Sequence, residues 1–65
     1  MVADERRQRL RAVVRALPTR DRRCLLLRAE GLTYRDIAST LRLSLGGVAK
    51  ALTRATTRLM SADGG

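Results

Sequence analysis

Arginine is the residue type in this chain that is best suited to bind another molecule. The 65 residues include fourteen Lys and Arg against six Asp and Glu, a formal net charge of +8, and all but one of the fourteen are Arg. The planar guanidinium group donates paired hydrogen bonds in a geometry that matches phosphate oxygens. The composition therefore favours a polyanionic partner, nucleic acid ahead of a membrane surface, although arginines that only solvate helix faces would give the same balance.

Other chemistry-bearing residue types are scarce. Histidine is absent and Cys24 is the single cysteine. The commonest general base is therefore missing, and neither a disulfide nor a cysteine-based zinc site can form within one chain. Cys24 lies in an apolar run, which predicts a small core residue. We expect no enzyme activity, no catalytic residues, no cofactor and no metal. We also expect a reducing, cytoplasmic location without membrane contact, since no apolar run approaches the length of a membrane span.

The polar residues of the last long segment form a candidate binding face. At about 100° per residue, its apolar residues fall on one side of a helix. They are Val48, Leu52, Ala55 and Leu59. The opposite side and its flanks carry small residues, hydroxyls and cations, namely Gly46, Gly47, Lys50, Thr53, Arg54 and Thr57, with Arg58 one turn beyond Arg54. Such a face is typical of a helix that enters a DNA groove; the alternative is an ordinary solvated face.

Four helical segments and no strands are predicted from the spacing of apolar residues. Their approximate bounds are 4–17, 20–30, 34–41 and 44–60. The chain is therefore expected to be one small all-α domain over residues 1–60, followed by a disordered tail over 61–65.

Residues at the segment ends predict where the helices begin and stop. Thr19 and Ser44 are candidate N-caps, because their hydroxyls can accept from free amides of a first turn. Thr33 and Asp36 have the spacing of a capping box. Gly31 is a candidate for the residue that follows the second helix and ends it by adopting a positive φ.

The third and fourth segments together have the layout of a helix-turn-helix, over about residues 33–59. A short capped helix, which carries the small Ala38 on its inward side, is followed by a turn of about three residues and a longer helix with a basic outer face. In such a unit the second helix enters the major groove and the first crosses the DNA backbone.

The stretch from Leu17 to Leu59 resembles region four of bacterial sigma factors, particularly the extracytoplasmic-function group. Four sequence segments carry the resemblance. They are ALP at 16–18, LLLRAEGLTYRDIASTL at 25–41, S-x-G-x-V at 44–48 and L-x-R-A-x-x-R-L at 52–59. LuxR-type domains share much of this pattern, but three features favour the sigma factors. They are Pro18, Tyr34 and the Arg54–Ala55 pair.

This resemblance implies a role in transcription initiation. Region four recognises the −35 promoter element in double-stranded DNA while bound to RNA polymerase, contacts the β-flap of the polymerase core, and is frequently bound by anti-sigma factors. Carried over by position, the DNA-facing residues are Ser44, Gly46, Gly47, Lys50 and Arg54. Thr33, Tyr34 and Arg35 are the implied phosphate contacts.

The chain departs from the family at the start of the recognition helix. The family usually reads Gly-Thr-Val-(Lys/Arg)-Ser-Arg, whereas this chain reads GGVAKA over residues 46–51. Gly47 replaces the threonine, Ala49 and Ala51 replace the two cations, and Lys50 stands where serine is usual. Two functions follow from this pattern. The first is recognition of an unusual promoter. The alternative is a protein-interaction module that binds an anti-sigma factor or the β-flap and whose DNA recognition is weak or lost.

Overall fold

The computed structural model describes residues 2–64, which form four helices joined by short turns. Their bounds are α1 Val2–Ala16, α2 Thr19–Ala29, α3 Tyr34–Leu41 and α4 Leu45–Gly64. No strand occurs within residues 2–64. The predicted small all-α domain is therefore confirmed. None of the described helices is long and apolar enough to cross a membrane.

The start of α2 differs from the prediction by one residue. Pro18 occupies the N-cap position and makes no side-chain hydrogen bond there. Its carbonyl oxygen already accepts from the backbone N–H of Arg22 at 2.9 Å. Because the Pro18 carbonyl closes the first helical turn, Thr19 is the first helical residue, and its assignment as N-cap is wrong.

The end of α4 also differs from the prediction. Residues 61–64, which we expected to belong to a disordered tail, continue the helix, and Gly65 lies outside the described residues. No proline interrupts this stretch, and Ala62 is half-buried. α1 packs against α4. The additional residues therefore extend a helix that already has a packing partner.

The core is built around α4, which contacts all three other helices. Its buried apolar side chains are Leu17, Cys24, Ile37, Ala38, Val48, Ala51, Leu52 and Ala55. The predicted inward stripe of α4 is confirmed, since Leu59 is half-buried as well. Ala51 is fully buried, although it stands where the family usually has a cation. In the apolar run around Cys24, Leu26 is 50% exposed, because four consecutive apolar residues cannot all point to one side of a helix.

The turn between α3 and α4 is closed by two backbone features. Arg42 adopts the left-handed conformation, with φ 57° and ψ 46°. The N–H of Leu43 then donates to the carbonyl of Ala38 at 2.9 Å, and the half-buried Leu43 packs on the core. Gly31, with φ 100°, reverses the chain between α2 and α3 as predicted. Together these turns place α3 and α4 as a helix-turn-helix.

Candidate nucleic-acid interface

Ser44 and the two glycines after it define the start of α4. The hydroxyl oxygen of Ser44 accepts from the N–H of Gly47 at 2.9 Å, and its carbonyl accepts from Val48 at 3.0 Å. The predicted N-cap is confirmed. Gly46 is exposed, and a Cβ built on it would have no neighbour within 4 Å. The backbone at Gly46 is therefore open to close approach by a partner.

The outer face of α4 is solvent-exposed along its length. Lys50, Thr53, Thr57 and Arg58 are all exposed, in agreement with the predicted outward direction of this face. Thr53 and Thr57 also line a shallow groove of about 210 Å³ that reaches Tyr34. The groove joins the start of α3 to the polar face of α4. Tyr34 of α3 and Thr53 and Thr57 of α4 thus share one groove.

Arg54 differs from its neighbours on this face, because it makes a paired hydrogen bond within the fold. Its Nη2 lies 3.0 Å from Oδ1 of Asp21, and its Nε lies 3.2 Å from Oδ2. The side chain of Arg54 is 58% exposed and that of Asp21 only 1%. The hydrogen bond to Asp21, helped by the charge of that carboxylate, raises the pKa of Arg54. Arg54 uses two of its five N–H donors in this contact, which leaves three for another acceptor.

The start of α3 is fixed by the predicted capping box. The Thr33 hydroxyl accepts from the N–H of Asp36 at 3.1 Å, and the Thr33 N–H donates to the Asp36 carboxylate at 3.3 Å. Tyr34 and Arg35 follow in the first turn and are exposed. At a helix N-terminus the backbone amides and the helix dipole favour an anion. This end of α3 is therefore chemically suited to a phosphate, and the phosphate contacts that the resemblance implies stay a prediction.

Arg28 lies beside the candidate interface, a position that the sequence analysis did not predict. Its guanidinium carbon lies 5.8 Å from the centre of the Tyr34 ring, and its Nη1 donates to the carbonyl of Leu32 at 2.9 Å. These contacts hold the Arg28 cation beside the capped start of α3. The signal in the sequence was Gly31, since a chain reversal there brings the last turn of α2 next to Tyr34.

Cys24 is fully buried in the core behind this surface, as predicted. Burial is the main cause that raises the pKa of its thiol, the nearby Asp21 adds to the rise, and Arg20 opposes it. The thiol is thereby kept protonated. Among the described residues, no group of three or more His, Cys, Asp or Glu side chains is placed to hold a metal ion.

The sequence of this chain matches a known protein family. The family model described as sigma-70, region 4 matches residues 7–59, which include most of α1 and the whole helix-turn-helix. The chain therefore belongs to the sigma-70 region 4 family, whose members are DNA-binding domains of transcription initiation and not enzymes. Comparison with curated proteins and with solved structures gave no match.

The family match fits the geometry of α3 and α4. The family implies DNA and RNA polymerase as partners, and the polar face of α4 together with the start of α3 forms one exposed surface of the helix-turn-helix. Besides Arg28, the sequence analysis did not find the roles of Asp21 and Ala51. Both act inside the domain, one as an anchor for Arg54 and one as a core residue.

Proposed function

We propose that this chain is region four of an extracytoplasmic-function sigma factor and binds the −35 promoter element in double-stranded DNA. In this role α4 lies in the major groove, and the start of α3 contacts the phosphates at the groove edge. The domain works while tethered to RNA polymerase, and its location is the cytoplasm.

The observation that carries this proposal is the exposed polar face of α4. Gly46 lets the backbone approach the bases, Lys50 supplies the cation that can donate to guanine O6 and N7, and Thr53 supplies a hydroxyl. All three are exposed. The opposite side of α4 is buried at Val48, Leu52 and Ala55, so over this part of the helix the free face is the polar one.

The departures from the family sequence change which residues read the bases. Ala51 is fully buried, so in this fold position 51 lies in the core and not in the groove. Ala49 is half-buried and carries no donor. Lys50 is then the main base-reading side chain, and Arg54, held by Asp21, contributes through its remaining donors. We infer a −35 element that differs from those read by relatives with cations at both positions.

Selection of DNA duplexes from a random library at physiological salt tests this function directly. We expect recovery of a short consensus. The variant Lys50→Ala should lose discrimination between the consensus and a scrambled duplex by about one to two orders of magnitude, as expected for loss of one base-specific contact. Arg9→Ala, an exposed change on α1 with the same charge loss, serves as the control and should weaken both duplexes equally. Recovery of random sequence by the wild-type protein would overturn the proposal.

A second candidate function is a protein-interaction module, and an exposed apolar groove favours it. The groove lies between α2 and α3, has a volume of about 340 Å³ and is lined in part by Leu26, Leu27 and Leu41. An apolar helix, from the polymerase β-flap or an anti-sigma factor, has the chemistry to fill it. Leu26→Asp should abolish such binding and leave DNA selection unchanged. If the wild-type protein binds such a helix tightly and selects no DNA sequence, this second function replaces the first.

A further inference from the structure

Three arginines converge on a groove at the C-terminal end of α3, next to the apolar groove between α2 and α3. Arg20 and Arg23 come from the first turns of α2, and Arg42 comes from the turn after α3. Together with the hydroxyl-bearing Thr19 and Thr40, they line a groove of about 420 Å³. Within the described part of the chain, none of the three guanidinium groups has a carboxylate or carbonyl partner. Three unneutralised cations around one groove favour an anionic ligand.

Arg42 gives this groove a second, independent feature. It is the one non-glycine residue within 2–64 that has a positive φ. The left-handed conformation is disfavoured for side chains such as arginine, and glycine would adopt it at no steric cost. Arg42 is exposed, and the turn itself holds this conformation, since the Arg42 backbone N–H donates to the carbonyl of Ala38. The guanidinium group takes no part in that bond and is open to a ligand.

The length of α3 relates this groove to the interface already described. Eight residues at 1.5 Å per residue separate its two ends by about 12 Å, and the major groove of DNA is about 12 Å wide. The start of α3 carries Tyr34 and Arg35, and its end carries Arg42. The two ends of α3 are thus spaced to meet the phosphates on the two sides of one major groove.

We propose that the groove formed by Arg20, Arg23 and Arg42 is a second phosphate-binding site, which holds the DNA backbone on the side of the major groove opposite the start of α3. This inference rests on the proposed function, since it takes the same duplex as the ligand. Arg42 is the central residue of this site, because it lies nearest in sequence to the start of α4, the helix that lies in the major groove under the proposed function.

The test compares variants of Arg42 in DNA binding and in thermal unfolding. Arg42→Gly removes the cation and the strain, whereas Arg42→Gln removes the cation and keeps the strain. We expect both to bind the selected duplex about threefold to tenfold more weakly and to lower the slope of log affinity against log salt by about 1. Only Arg42→Gly should raise the unfolding midpoint, by a few degrees. Arg11→Gln on α1 is the control with the same charge loss, and it should leave the slope unchanged.

Two outcomes would overturn this inference without touching the proposed function. One is a wild-type protein that selects a consensus while both Arg42 variants keep its affinity and salt slope. The other is found with inorganic phosphate as the probe in an NMR titration. If phosphate shifts the resonances of Arg20, Arg23 and Arg42 but the duplex does not, the groove takes a free phosphate and not DNA. Loss of consensus selection by the wild-type protein itself would instead overturn the proposed function.

Discussion

The carboxylate of Asp21 in α2 is buried and accepts two hydrogen bonds from Arg54 in α4, whose side chain is largely exposed. The pair joins the helix that precedes the helix-turn-helix to the helix that carries most of the predicted DNA-facing residues. Since both carboxylate oxygens are used, the contact restrains the rotation of α4 about its axis as well as its distance from α2. The direction of the polar face of α4 therefore depends on Asp21.

Removal of either partner should destabilise the domain to different extents. We expect Asp21→Ala to lower the free energy of unfolding by about 1–3 kcal/mol, the range for loss of hydrogen bonds to a charged group. Arg54→Ala should be more damaging, because it leaves the buried carboxylate of Asp21 without a partner. In urea denaturation the double variant should lose less than the sum of the two single losses. Strict additivity would show that the two side chains do not interact in solution.

The two glycines at the start of α4 should respond differently to alanine. Gly46→Ala places a methyl group in open space within a helix, so we expect it to raise the free energy of unfolding by about 0.4–1 kcal/mol. Gly47→Ala should gain less, because its Cβ would lie 3.1 Å from the Ser44 hydroxyl oxygen that caps the helix. Chemical denaturation of both variants measures this difference. Equal gains would mean that the cap moves freely to admit the methyl group.

The family's two cations should not be equally easy to restore. Ala49→Arg changes a half-buried position near the polar face. It should raise DNA affinity and steepen the salt dependence by a slope of about 0.9, with a stability change within about 0.5 kcal/mol. Ala51→Arg adds a long charged side chain to a fully buried position, and should cost about 1–3 kcal/mol or more. Thermal unfolding beside DNA titration would separate the two effects; a stable Ala51→Arg domain would contradict the packing described here.

The buried thiol of Cys24 should make stability depend on alkaline pH. Its pKa is raised in the folded state above the ordinary value of 9.0. The unfolded chain therefore releases this proton first as the pH rises, and the contribution of the protonated thiol to stability is complete below pH 9 and decreases above it. We expect the difference in unfolding free energy between wild type and Cys24→Ala to shrink from pH 8 to pH 11. A difference that stays constant over this range would contradict the burial of the thiol.

Local features of this fold could be read from the sequence, and distant contacts could not. The capping box of Thr33 and Asp36 and the cap at Ser44 involve residues three positions apart, so residue type and spacing determine them. The Asp21–Arg54 pair joins residues 33 positions apart, and nothing in either local sequence marks the other as its partner. The burial of Ala51 depends on how α4 packs against three neighbours, which helical periodicity alone leaves undefined.

The turn at Arg42 could not be predicted for a different reason. Arginine rarely adopts a positive φ, so the residue type argues against the conformation that it has. The conformation is set by its neighbours, since Leu43 must reach the core and Ser44 must cap α4 within two residues. For the candidate site, the exposure of Gly46, Lys50, Thr53 and Arg58 followed from helical periodicity, whereas the anchoring of Arg54 by Asp21, the burial of Ala51 and the position of Arg28 were missed.

Among the described residues, three of the eight buried apolar side chains are alanines and none is aromatic. In a closely packed interior a larger side chain at one of these alanines would have to displace a neighbouring helix. Exchanges of outward side chains on α4 avoid that cost, because they leave the alanine contacts unchanged. On the proposed function, a set of variants that differ only at exposed positions of α4 would therefore keep one scaffold and differ in the DNA sequence that they prefer.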